Sequence, residues 1–131
     1  MKKIIFTCSF LFTLSIVNAQ LNLDSLKNLI ATSKEDTTKV ILLGILSFNS
    51  WDNDSCLKWD NEALTLAKKI HFTKGIAKSL NQFGNDYLGS ANYNIALDCY
   101  FQSLRLNEKI GDIRRVSVNY NNIALVYLAQ E

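Results

Sequence analysis

Few side chains in this sequence stand at spacings suited to covalent chemistry. His71 is the only histidine, and no Ser-His-Asp order, Cys-His cluster, HExxH or phosphate-cradling glycine loop accompanies it. It falls where a helix is expected to end, an exposed position favoured by the helix dipole. Asp52, Asp54, Asp60 and Glu62 crowd one segment, but their spacing lacks the central glycine and terminal glutamate of a calcium loop. A helix cap from Asp52 or Asn53 is the better reading. Trp51 and Trp59 flank the same segment as packing residues, with an exposed ligand-stacking surface as the alternative. The groups suited to non-covalent work are Lys78, Asn81, Asn85 and Asn121. An Asn amide carries two donors and an acceptor, so it can grip a peptide backbone without reading side chains. In a helix interior Asn is less favourable than Ala by about 0.6 kcal/mol. Several there invite an explanation, although the chain's richness in Asn and Lys also accounts for them. Lys78, one turn before Gln82, can meet a carboxylate or simply be solvated. No catalytic residue, cofactor or metal is expected, and the partner expected is a protein or peptide.

The elements that would position these groups are helices. Leu80, Phe83, Gly84 and Tyr87 lie at i, i+3, i+4 and i+7, one face of a helix. Ala96, Tyr100, Ser103 and Leu104 mark a face on a second. Between them Gly89 is expected to end one helix in the left-handed conformation, and Ser90 or Asn92 to cap the next. Gly111-Asp112 repeats the device. Proline is absent and only 5 glycines occur, too few turn residues for a sandwich or barrel of short strands. One domain of all-α class follows from 131 residues of this composition.

A shift of 40 positions superposes the sequence on itself. Gly44 falls on Gly84 and then on Ala124; Leu57 falls on Leu97, Leu64 on Leu104, Asn81 on Asn121, and Tyr87-Leu88 on Tyr127-Leu128. Val40, Leu80 and Tyr120 align, as do Leu43, Phe83 and Ile123. A fixed period of this size is the mark of stacked helical repeats.

These residues resemble the tetratricopeptide repeat. That family places a large residue, an apolar residue beside a small one, and an aromatic on its first helix; small, aromatic and small residues follow on the second. Here the pattern reads Leu80, Phe83-Gly84, Tyr87, Ala96, Tyr100, Ser103, with Tyr120, Ile123-Ala124 and Tyr127 on the following first helix. The first repeat, from about Thr37 to Ile70, is degenerate: it keeps Gly44 but has Ser47 and Asp60 at the aromatic positions and Cys56 at a small one. The family's proline at the end of the second helix is missing, and the period exceeds the family's common length of about 34 residues. The resemblance implies antiparallel helix-turn-helix repeats stacked in a right-handed solenoid. The packing residues would be Gly44, Leu80, Phe83, Gly84, Tyr87, Ala96, Tyr100, Ser103, Tyr120, Ile123, Ala124 and Tyr127. It also implies a concave surface lined by first helices, from which Lys78, Asn81, Asn85 and Asn121 would meet an extended peptide.

The organisation expected is a signal peptide over 1–19, a capping helix over 20–36 and about two and a half repeats over 37–131, the last incomplete. Lys2 and Lys3 precede an apolar run from Ile4 to Val17, and Val17-Asn18-Ala19 supplies a cleavage site. A retained anchor is the alternative. Cys8 lies inside the apolar run. Cleavage removes two of 14 basic residues and leaves 12 against 12 acidic ones. A neutral chain without a basic stripe does not favour nucleic acid. Cys56 and Cys99 would remain; export permits a disulfide, but Cys56 reads more simply as a substitute for a small packing residue. The expected helix near Glu131 carries an apolar face with no following helix. That suggests either the N-terminal part of a longer protein or a homodimer closing the face. Segments such as Lys74-Gly75-Ile76-Ala77 and Tyr120-Asn121-Asn122-Ile123-Ala124 look like the extracytoplasmic sensory half of bacterial histidine kinases and regulators. The resemblance thus implies a peptide-binding module in the cell envelope or, alternatively, such a sensory fragment. A membrane would be touched only through the signal, an anchor or a downstream segment.

Overall fold

The computed structural model describes residues 23–50 and 52–131. The proposed signal segment and Trp51 lie outside them. The chain divides into two compact units, Met1–Thr32 and Ser33–Glu131. The first holds a helix over 23–32, here α1. Lys27 pairs with Asp24 one turn back at 3.5 Å, and the Thr32 hydroxyl donates to the Asn28 carbonyl.

The second unit is helical among its described residues: α2 (Thr37–Phe48), α3 (Asn53–Lys69), α4 (Thr73–Gly89), α5 (Tyr93–Lys109) and α6 (Ile113–Ala129). Aspartates start three of them. Asp36 accepts from the amides of Thr38 and Lys39, Asp52 from Ser55, and Asp112 from Arg115. Each cap satisfies amides that the first turn leaves unpaired. The last four helices each have 17 residues.

One turn is used three times. The amides of His71 and Phe72 bond back to Lys68 and Ala67; Ala91 and Asn92 bond to Leu88 and Tyr87; Gly111 and Asp112 bond to Glu108 and Asn107. This is the Schellman pattern, which needs one residue in the left-handed region. His71 (φ 56°), Ala91 (φ 58°) and Gly111 (φ 70°) occupy it. The expectation for Gly89 is therefore corrected: Gly89 is the last helical residue of α4, and Ala91 makes the turn. Asn92 holds the N-cap position of α5, but its amide donates to Ser90 rather than accepting from the helix. A side chain in the left-handed region costs about 1–2 kcal/mol, part of which glycine's larger unfolded-state entropy offsets. Ala91→Gly is thus expected to stabilise the protein by about 0.5–1 kcal/mol, read as a higher midpoint in thermal melting. A lower midpoint would contradict the left-handed assignment.

Such short turns make neighbouring helices antiparallel. Consecutive helices of the second unit pack on one another, and α2 also touches α4, as α4 touches α6. Helices α2, α3 and α5 each bury one face. Val40, Leu43, Leu46 and Ser47 are buried on α2; Asp60, Ala63, Leu66 and Ala67 on α3; Ala96, Cys99, Tyr100, Ser103, Leu104 and Asn107 on α5. Between α4, α5 and α6 the core is built from Ala96, Tyr100, Leu104, Ile123 and Val126, with Tyr87, Leu88 and Val116 against it. Gly84 lies directly on Tyr100: a Cβ there would stand 2.4 Å from the ring. Phe83 and Tyr87 stack with centroids 6.4 Å apart.

On α6 the expected packing set is corrected. Ile123 is buried, but Tyr120, Ala124 and Tyr127 are exposed, and Asn119 and Val126 are buried instead. In α4 the equivalent Leu80 and Gly84 are buried, Gly84 against Tyr100 of α5, and Tyr87 packs against the core that α5 and α6 share. On α6 no described residue covers the matching face, and it meets solvent. Gly44 is also unlike Gly84. Among the described residues a Cβ on it would meet only the tip of Lys78, at 3.4 Å.

Candidate functional site

Asparagines join the helices in a connected network. Asn119 on α6 and Asn107 on α5 are each 1% exposed. The Asn107 amide donates to Asn119 Oδ1 at 2.8 Å, and Asn119 donates to Asn81 Oδ1 at 3.1 Å. Asn122 donates to the same Asn81 oxygen at 3.0 Å. The Ser103 hydroxyl donates to the Ala77 carbonyl at 2.8 Å, and Tyr100 donates to Asn85 Oδ1 at 2.8 Å. Pairing buried amides in this way avoids a cost of about 1–3 kcal/mol for each unpaired group, and in this network Asn107 Oδ1 keeps no partner among the described residues.

The four residues expected to face a peptide therefore do different things. Asn81 Oδ1 is already occupied by two amides from α6, and Asn85 Oδ1 holds the Tyr100 hydroxyl. Asn121 is exposed on α6, and Lys78 is exposed on α4. Asn81 and Asn121, equal in the repeat, are unequal in their surroundings. Asn119 is a member that the repeat pattern does not single out. Its signal is its place at i, i+4 and i+7 with Ile123 and Val126, where a polar residue on a buried face requires a partner.

Lys78 leads to a cavity of about 350 Å³. Val40, Ile41 and Gly44 of α2 line one side, Phe72 and α4 another, Arg115 of α6 a third, and Asp60 of α3 completes it. The first helices of successive hairpins in the second unit, α2, α4 and α6, thus share one opening. Its charges are arranged in two tiers. At the mouth Lys74 and Arg115 both pair with Asp112, at 3.7 and 3.6 Å. Inside is Asp60, 2% exposed.

Asp60 stands against Ser47 and against Asp86 of α4, and each carboxyl keeps an Oδ2 that no N–H or hydroxyl of the described residues reaches, apart from a proton shared between the two. Burial pushes the Asp60 carboxyl up to about 7; the Ser47 hydroxyl opposes the rise and the Asp86 charge adds to it. Burial raises Asp86 as well. Two carboxyls in mutual contact away from water cannot both ionise freely, so the pair retains one proton where separate carboxyls would have none. The Tyr100 hydroxyl is pushed up to about 12 by burial. It acts as a fixed donor to Asn85.

The acidic segment of the sequence analysis is dispersed by the fold: Asp52 caps α3 while Asp60 turns inward. No group of three metal-ligating side chains forms among the described residues. Cys56 and Cys99 are unpaired thiols, both raised above the ordinary range by burial. Cys56 Sγ contacts the Ser47 carbonyl at 3.4 Å. Lys58 lies over the Trp59 ring at 4.6 Å. His71 is exposed in the α3–α4 turn. Among the described residues no helix is long and apolar enough to cross a membrane. In comparisons with known proteins no family model matches the chain, and neither curated proteins nor solved structures give a significant match.

Proposed function

We propose that this chain is an exported helical-repeat module of the tetratricopeptide kind, which binds a polypeptide segment and catalyses no reaction of its own. The observation that carries this reading is the shared cavity of α2, α4 and α6, at about 350 Å³ within the range of ligand-binding clefts. Its apolar walls offer contact area, and its cationic mouth offers charge-assisted hydrogen bonds to a peptide carbonyl or carboxylate. The three left-handed turns at residues 71, 91 and 111 support a repeating unit of equal helices. Export rests on the segment 1–19, and an intact mass beginning at Gln20 is its expected sign.

Selection of random displayed peptides against the protein tests the binding reading. Enriched peptides should lose at least about tenfold in affinity, roughly 1.4 kcal/mol, when Lys78 and Arg115 are both replaced by alanine. Helicity by circular dichroism should be unchanged. Asn121→Ala is a further surface arm, whereas Asn81→Ala also opens the buried amide network and so reports on stability as well. Failure to enrich any peptide, or binding indifferent to the groove substitutions, would remove the proposal.

A further inference from the structure

The cavity lies where the neighbouring hairpin keeps a tyrosine. Forty positions relate Gly44 to Gly84 and Asp60 to Tyr100. In the α4–α5 hairpin the Tyr100 ring lies directly on Gly84 and is fully buried. In the α2–α3 hairpin the ring is replaced by a short carboxylate, and among the described residues the space beside Gly44 receives only the end of the Lys78 side chain. The small residue that admits a ring is kept, while the ring itself is missing.

Deepening the groove reading on which it rests, we infer that this cavity receives a tyrosine side chain of the bound polypeptide, its ring beside Gly44 and its hydroxyl donating to Asp60. The walls suit a ring: Val40, Ile41 and Phe72 are apolar, and Lys78 is exposed and can move aside to lie over the ring face. The floor suits a hydroxyl. Apart from the proton that Asp60 shares with Asp86, no N–H or hydroxyl donor among the described residues reaches Asp60 Oδ2, and a buried acceptor gains most from a ligand that brings one. The charges disfavour other side chains. A lysine or arginine would have to pass Lys74, Lys78 and Arg115, and an aspartate or glutamate would have to approach Asp60 and Asp86.

Titration of the isotope-labelled full chain with N-acetyl-tyrosinamide, followed by amide chemical shifts, tests this without any peptide. Saturable shifts are expected at Gly44, Gly75 and Ser79. N-acetyl-phenylalaninamide, lacking the hydroxyl, should bind at least about tenfold more weakly. N-acetyl-lysinamide should not bind there. Asp60→Tyr restores the side chain that the other hairpin has and should abolish tyrosinamide binding. Gly44→Leu fills the slot from the opposite wall, where only a movable lysine tip is met, and should do the same if Asp60→Tyr does not fold. Absence of tyrosinamide binding to the folded chain, equal binding of the phenylalanine amide, preference for the lysine amide, or binding that survives the slot-filling variants would each overturn the inference. Peptides that bind the groove while tyrosinamide does not would leave the broader reading standing. Tyrosinamide binding without any selected peptide would keep the slot and remove the polypeptide.

Discussion

Replacing Gly84 by leucine should destabilise the protein by about 3 kcal/mol or more, the upper end of what overpacking costs. The first carbon of any side chain at this position would stand 2.4, 2.6 and 2.8 Å from three atoms of the Tyr100 ring. The ring has nowhere to go. It is fully buried among Ala96, Leu104, Ile123 and Val126, and its hydroxyl is held by Asn85 at 2.8 Å. Relief would require α4 and α5 to separate, which exposes the core they share. The same substitution at Gly44 is the internal control. Among the described residues its first side-chain carbon meets only Lys78, at 3.4 Å, and leucine is the better helix former by about 0.8 kcal/mol, so Gly44→Leu should be nearly neutral. Urea unfolding of the two variants beside the parent checks the pair. Equal losses would mean that the two hairpins do not differ in the way the structure shows.

Stability should fall as pH rises from about 4 to about 7, the reverse of what a salt-bridged carboxylate produces. The folded protein holds a proton on Asp60 up to about 7, whereas an aspartate in the unfolded chain titrates at its ordinary 3.8. Between those values the folded state binds more protons than the unfolded state, so each step upward in pH favours unfolding. Below the window both states are protonated at this site, and above it the loss levels off. Its size is on the order of 4 kcal/mol, set by the span of the window at about 1.36 kcal/mol per pH unit. The groups facing Asp60 are Ser47 from α2, Cys56 on its own helix, and Asp86 and Lys78 from α4. Asp60→Asn keeps the shape and a donor toward Asp86, and should flatten the curve while raising stability at pH 8. Glu35, lowered by its Lys69 partner, and Asp52, lowered by the Ser55 amide, act in the opposite sense at more acid pH. Denaturant midpoints at pH 5 and pH 8 for both proteins decide the matter. A parent that gains stability towards pH 8 would rule out a buried protonated pair.

Much of the local architecture is legible from the residues. Helical spacing identifies the α4 and α5 faces because a side chain's position on a helix depends only on its own neighbours in sequence. Gly84 beside Phe83, with Ala96 and Tyr100 following, marks a close approach of two helices, and the contact is there. Asp52 and Asp112 are legible as caps, since a cap is a local hydrogen bond. The residues alone place the turn before α5 two positions early. A glycine draws attention in a sequence, but the left-handed residue falls where the helix ends, and α4 runs through Gly89 with Ser90 as its C-cap before Ala91 turns.

The candidate site is legible only in outline. Lys78 stands out in the sequence, and it lines the cavity. Asn81 and Asn121 look alike, because the sequence pairs them; the arrival of Asn119 and Asn122 beside one and of solvent beside the other separates them. Tyr120 and Tyr127 carry the packing pattern, yet a pattern states which face is apolar and not whether anything covers it. Asp60 shows the division most clearly. The repeat register places it where a tyrosine belongs, and that much belongs to the sequence. That it is enclosed, that Asp86 from 26 positions away shares its surroundings, and that a cavity opens beside it depend on α2, α3 and α4 meeting. The helices and their hairpin turns follow from interactions over a few residues; burial, shared protons and empty volume belong to groups brought together from distant parts of the chain.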